Sequence, residues 1–106
     1  MTGKNLFEVD TPLGFAVRCT VVYWRFIVSQ KHPIMAGREN DVRRILTDPD
    51  VVRRSQQDPE VYLFYREEKP RWLCAVARRE NASGFLITTY PTDVIKAGEI
   101  VWKRSK

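Results

Sequence analysis

The chain holds one histidine, His32, in the run Lys31-His32-Pro33. An imidazole with an ordinary pKa near ~6.5 changes charge around neutrality, which suits acid–base work. A histidine at a helix end can equally cap carbonyls, and the local residues leave both readings open. A second group of reactive residue types lies near the C-terminus: Thr88-Thr89-Tyr90-Pro91-Thr92, followed by Lys96 and Gly98. Hydroxyls there can hydrogen-bond a phosphate. Tyr90 can stack on a base or donate a proton, and Lys96 can stabilise a developing anion. Thr and Tyr are also what a strand selects with no function attached.

Charge gives the third constellation. Eighteen Lys and Arg face thirteen Asp and Glu, a formal net charge of +5. Twelve of the eighteen are arginines, whose planar fork matches phosphate. Arg38, Arg43, Arg44, Arg53 and Arg54 are offset by six acids between positions 37 and 60, so a solvated face with i, i+4 pairs such as Glu39–Arg43 accounts for that segment. From Val61 onward nine basic residues outnumber five acids. Arg71, Arg78, Arg79, Lys96, Lys103, Arg104 and Lys106 would form the footprint for a phosphate backbone. A solvated sheet edge protected by Arg78 and Arg79 is the competing reading.

Other chemistries find little support. The acids sit in turns and beside arginines, which disfavours a paired-carboxylate glycosidase or a two-metal nuclease. One histidine and no Cys-x-x-Cys disfavour zinc. Cys19 and Cys74 lie in apolar runs and read as buried free thiols in a reducing cytosol. There is no phosphate-binding glycine motif, no repeat, no signal-peptide pattern at the start and no apolar run near ~20 residues. A cytoplasmic protein with no metal, no cofactor and no membrane contact is the expectation.

These residues need elements to position them, and 106 residues suffice for one domain. Leu6–Asp10 and Phe15–Cys19 alternate around the turn residues of Thr11–Gly14, which predicts a β-hairpin. Thr20 can cap a helix whose stripe is Val21, Trp24, Ile27 and Val28, ending near Lys31 before Pro33. Gly37 or Asn40 can cap a second helix on Val42, Ile45 and Leu46, stopped by Asp48-Pro49-Asp50. Positions 51–60 read as a connection with at most a short strand. Three strands follow, at 61–66, 71–79 and 85–90, with an edge strand at 99–103. The apolar run Trp72–Ala77 marks the central one. The expected fold is α+β: an N-terminal hairpin and two helices, then a three- to four-stranded antiparallel sheet with helices on one side.

The order of pieces resembles a known family. Trp24, Ile27-Val28, Lys31-His32-Pro33, the Val42…Ile45-Leu46 helix, Asp48-Pro49-Asp50, Tyr62–Tyr65, the 72–77 strand, Thr88-Thr89-Tyr90, Lys96, Gly98 and Trp102 follow the pattern of the phage- and mobile-element-associated branch of the barnase–EndoU–colicin–RelE-like nuclease superfamily. The match runs from about residue 13 to residue 104. His32 falls on the family's His-Pro motif, and Thr88 and Tyr90 on its strand-ending Thr-x-Tyr. Lys96 and Gly98 fall on the basic residue and glycine after it. Thr89 stands where a small residue is usual, and there is no second histidine.

The resemblance implies one RelE/barnase-like nuclease domain over residues 1–106, a metal-independent endoribonuclease in which the RNA 2′-OH attacks the adjacent phosphate. His32 would act as base or acid and Tyr90 or Lys96 as its partner. Arg71, Thr88, Arg38 and Lys103 would contact an RNA that is tRNA, mRNA or rRNA. A toxin of this kind would be covered by a small acidic antitoxin. The alternatives are a non-catalytic nucleic-acid-binding module and a partner-binding, host-inhibiting module.

Overall fold

Thr20 opens the first helix as its side chain suggests: its hydroxyl accepts from the Tyr23 amide at 3.1 Å. The computed structural model describes residues 3–105. Helix α1 spans only Val21–Phe26, runs on as a π turn over Ile27–Lys31 and, after His32, as a 3-10 turn over Pro33–Met35. Helix α2 spans Glu39–Thr47 and buries Val42, Ile45 and Leu46. Neither Gly37 nor Asn40 caps it. Arg38 holds that position with no side-chain cap, and Asn40 instead accepts from Arg43.

Seven strands make one sheet: β1 Asn5–Asp10, β2 Ala16–Thr20, β3 Val51–Ser55, β4 Val61–Glu68, β5 Arg71–Glu80, β6 Ser83–Thr92 and β7 Gly98–Lys103. Their order is β1-β2-β6-β5-β4-β3-β7. All neighbours are antiparallel except β2 and β6, which run parallel over Ala16–Arg18 against Ser83–Phe85.

This overturns the expected RelE/barnase-like plan of a hairpin and two helices ahead of a three- to four-stranded antiparallel sheet. Among the described residues strand accounts for 49% and helix for 22%, and the sheet is mixed. Three pairings between distant segments cause the difference. The hairpin is not separate, because β2 docks on β6. Positions 51–55 supply a full inner strand, and β7 adds to it as the last strand of the sheet.

The helices cover one face of this sheet. Trp24, Ile27, Met35, Ile45 and Leu46 pack there with Phe7, Val17, Phe64 and Ala75 in the larger core. Burying several such side chains at roughly 1.5–3 kcal/mol each makes this the side that holds the fold together. β5 sits fourth of seven, and its consecutive Leu73, Cys74 and Ala75 are buried from both sides. The opposite face carries a smaller cluster of Val51, Leu63, Tyr65 and Cys74, partly roofed by Ile95.

β6 is an inner strand only as far as Phe85. Beyond it β2 no longer pairs, and a bulge at Ile87 interrupts the β5–β6 register. On that freed side the Ile87 carbonyl accepts from the Tyr23 hydroxyl at 2.7 Å and from Lys31 Nζ at 3.5 Å. Pro91, which has no N–H to give a ladder, pairs with Leu73 of β5 and has no strand on its other side, an edge position where proline is tolerated.

Candidate functional site

The alternation of β6 sends Thr88 and Tyr90 to the face that carries no helix, opposite Val76 and Cys74 of β5, and sends Thr89 to the helix-covered side. Thr89 is fully buried and its hydroxyl donates to the Cys74 carbonyl at 2.8 Å, a structural bond with no surface left for a ligand.

After β6 the chain turns at Thr92, whose hydroxyl bonds both backbone groups of Val94, and folds back over the sheet. Ile95 packs on the small cluster, and Lys96 is fixed by its backbone at both ends. Its N–H donates to the Tyr65 hydroxyl at 3.1 Å, and its carbonyl accepts from Arg53 Nη1 at 3.5 Å. Gly98 closes the loop where β7 meets β3. A Cβ there would run into the Arg54 carbonyl, so close approach of the two strands demands glycine.

Between this loop, the β3–β4 turn and the sheet lies a cavity of about 510 Å³. Leu63 and Val76 form an apolar floor, Gln56 and Gln57 the turn side, and Thr88, Tyr90 and Lys96 the remaining wall. The size and the apolar floor with few polar groups are those of a small-molecule or single-residue subsite. Thr88 Oγ1 is buried with no hydrogen-bond partner in the chain. A buried hydroxyl left unpaired is uncommon, and one on a cavity wall is satisfied by what enters the cavity.

Tyr65 and Tyr90 pack with the buried Cys74 in the cluster behind the cavity. Burial pushes the thiol up to about 12 and the Tyr65 hydroxyl up to about 12, and raises Tyr90 further. Both phenols therefore stay protonated at neutral pH. Tyr90 lines the cavity, and burial makes its phenol a poor acid, so it suits a stacking platform better than a proton donor. Cys19, on the other face, is likewise pushed up to about 11 by burial, and both thiols are free.

His32 lies between the π turn and the 3-10 turn. Its ring packs against Tyr90, with centroids 5.1 Å apart and planes tilted by 41°. Burial, and then the charge of Lys31, lower its pKa, so the imidazole is neutral at pH 7. It touches the site through the Tyr90 ring and is not part of the cavity wall.

The structure thus gathers His32, Thr88, Tyr90 and Lys96 and leaves the other candidates outside. Arg38 is paired with Asp41 at 2.9 Å and with Glu68. Arg71 is paired with Asp93 at 2.8 Å, and Lys103 stands opposite Val51 at the far end of β7. The expected C-terminal cationic footprint is neutralised only in part: Arg71, Arg78 and Arg104 are ion-paired, whereas among the described residues no acid pairs Arg79, Lys96 or Lys103, and Lys106 lies outside the described residues. Arg66 and Arg104 hold Asp48, Arg104 also holds Asp50, and Arg78 holds Asp58. Those acids had seemed to serve the arginines of positions 37–60, among which Arg43 instead bonds Asn40 and the Leu6 carbonyl and lies over Phe7.

Nothing in the sequence singles out Gln56 and Gln57. A polar turn after two arginines reads as a connection, and nothing local shows that it overhangs β4 and β5. Among the described residues no group of three or more His, Cys, Asp or Glu side chains is placed to hold a metal ion, and no helix is long and apolar enough to cross a membrane. Comparison with protein-family models, with curated proteins and with solved structures finds no match.

Proposed function

We propose that the helix-free face of the sheet binds single-stranded RNA, with one nucleotide seated in the cavity between Tyr90 and Lys96. The observation behind it is the convergence of Thr88, Tyr90 and Lys96 on one cavity wall, with Lys96 bearing a charge that no acid of the described residues pairs. A base stacks on the Tyr90 ring over the apolar floor. The adjoining phosphate meets Lys96, and a sugar or base polar group satisfies Thr88 Oγ1. Fluorescence anisotropy with a labelled RNA dodecamer tests it. Saturable binding that weakens steeply with salt supports the reading, and no binding at 50 mM salt refutes it.

A second reading, metal-independent cleavage with His32 as base, rests on the neutral imidazole beside Tyr90. Because burial raises the Tyr90 pKa and makes its phenol a poor acid, Lys96 is the acid or anion-stabilising partner in that reading. Incubation of the same RNA with and without EDTA separates the two. New 2′,3′-cyclic phosphate ends in both samples, lost in His32→Ala by about 10²–10⁴-fold, mark catalysis. Intact RNA leaves the protein a binding module. Growth arrest on expression would extend the cleavage reading to a toxin.

A further inference from the structure

Where β2 stops pairing at Phe85, the freed edge of β6 is faced by side chains that do not resemble an ordinary strand guard. Tyr90 packs against His32, and the next residue back, Lys31, reaches the Ile87 carbonyl at 3.5 Å. The same Lys31 ammonium lies 5.6 Å from the centre of the Phe26 ring, and Phe26 in turn lies 5.6 Å from the Tyr23 ring. Phe26 is 44% exposed, a large aromatic on the surface beside an unpaired cation. Between Thr11 and Gly37 the sequence contains no acid at all, so nothing local competes for Lys31 or Arg25.

Aromatic faces interleaved with cations along a line are the physical requirement of single-strand binding, since every base has a face to stack and every linkage a charge to neutralise. We infer that this edge is a second segment of the binding track, taking the nucleotides that adjoin the one in the cavity: His32 and Phe26 are stacking platforms, and Lys31 meets the phosphate between them. The inference rests on the RNA-binding reading of the cavity. It makes the ligand a strand several nucleotides long rather than a mononucleotide, and it makes His32 a contact of the strand whether or not cleavage occurs.

The test compares uridine 3′-monophosphate with a nine-residue oligouridylate, each titrated into the intact chain and into Phe26→Ala, Lys31→Gln and Lys96→Ala. Phe26 is exposed enough for the alanine variant to fold, which a thermal melt verifies, and Lys31→Gln changes only an exposed tip. The expected result is that Phe26→Ala weakens the nonamer about five- to hundredfold and leaves the mononucleotide unchanged. Lys31→Gln should lower the salt slope for the nonamer by about 0.7. Lys96→Ala should weaken both probes. Nonamer binding that is indifferent to Phe26→Ala and Lys31→Gln overturns the track while leaving the cavity standing. If neither probe binds the unaltered chain, the cavity reading fails first and the track falls with it.

Discussion

Truncating Lys96 to alanine removes a charge without disturbing the loop that presents it. The loop is held by backbone bonds, from the Lys96 N–H to Tyr65 and from Arg53 to the Lys96 carbonyl, and both survive the substitution. The side chain is exposed and unpaired, so stability should change by no more than about 0.5 kcal/mol. A hydrogen bond to a charged group contributes about 1.5–3 kcal/mol, and 1.4 kcal/mol is about tenfold in affinity. Solvent screening at an exposed site places the effect at the low end of that range. Lys96→Ala is therefore expected to weaken RNA about tenfold at 50 mM salt and to lower the salt slope by about 0.7. Lys103→Ala removes the same charge from the far end of β7 and should cost less than about twofold. Anisotropy titrations of both variants over a salt series give the comparison. Equal losses would show that net charge rather than the cavity attracts the ligand, and the reasoning would be wrong.

Other substitutions separate structural from ligand-directed roles. Thr88→Val replaces an unpartnered buried hydroxyl by a methyl, so the thermal melt should hold or rise by up to about 1 kcal/mol while RNA affinity falls; a drop in stability would mean that the hydroxyl has an internal partner. Gly98→Ala drives a Cβ into the Arg54 carbonyl and should cost about 1–3 kcal/mol in a denaturant titration, with RNA binding lost alongside because Lys96 is displaced; a neutral result would show that the β3–β7 approach is relaxed. The pKa of His32 is lowered in the folded chain, so folding disfavours its protonation. That stability is present above about pH 6.5 and is lost as pH falls through the folded pKa. His32→Gln should flatten the acid side of the melting profile, and an unchanged profile would assign the loss to other groups.

The legible part of the molecule was local. Thr20 capping α1, the Val42-Ile45-Leu46 stripe and the doubly buried centre of β5 each follow from a few adjacent residues. The illegible part was pairing between distant segments. β3 hid behind Arg53 and Arg54, whose charges look foreign to an inner strand. The fold accommodates them by laying Arg54 over the Tyr62 ring beside Glu99 and by directing Arg53 to the carbonyls of Lys96 and Gly98. Nothing in Ala16–Arg18 announces a parallel partner 67 positions on. The same limit applied to charge: Asp48, Asp50 and Asp58 look like partners for nearby arginines, yet they hold Arg66, Arg104 and Arg78, which the sheet brings back to them.

The site shows both sides of this. Thr88 and Tyr90 share a face by simple strand alternation, and their residue types suggested chemistry. That Lys96 folds back to join them depends on the Tyr65 hydroxyl, which only the folded sheet supplies.

Chemical-shift mapping tests the central claim most directly. Amide spectra of the isotopically labelled chain, titrated with a short single-stranded RNA, should shift first and most at Thr88, Tyr90, Lys96 and Gln57, around the cavity. Shifts confined to Arg38, Arg71 and Lys103, or spread evenly over exposed arginines, would contradict a site between Tyr90 and Lys96.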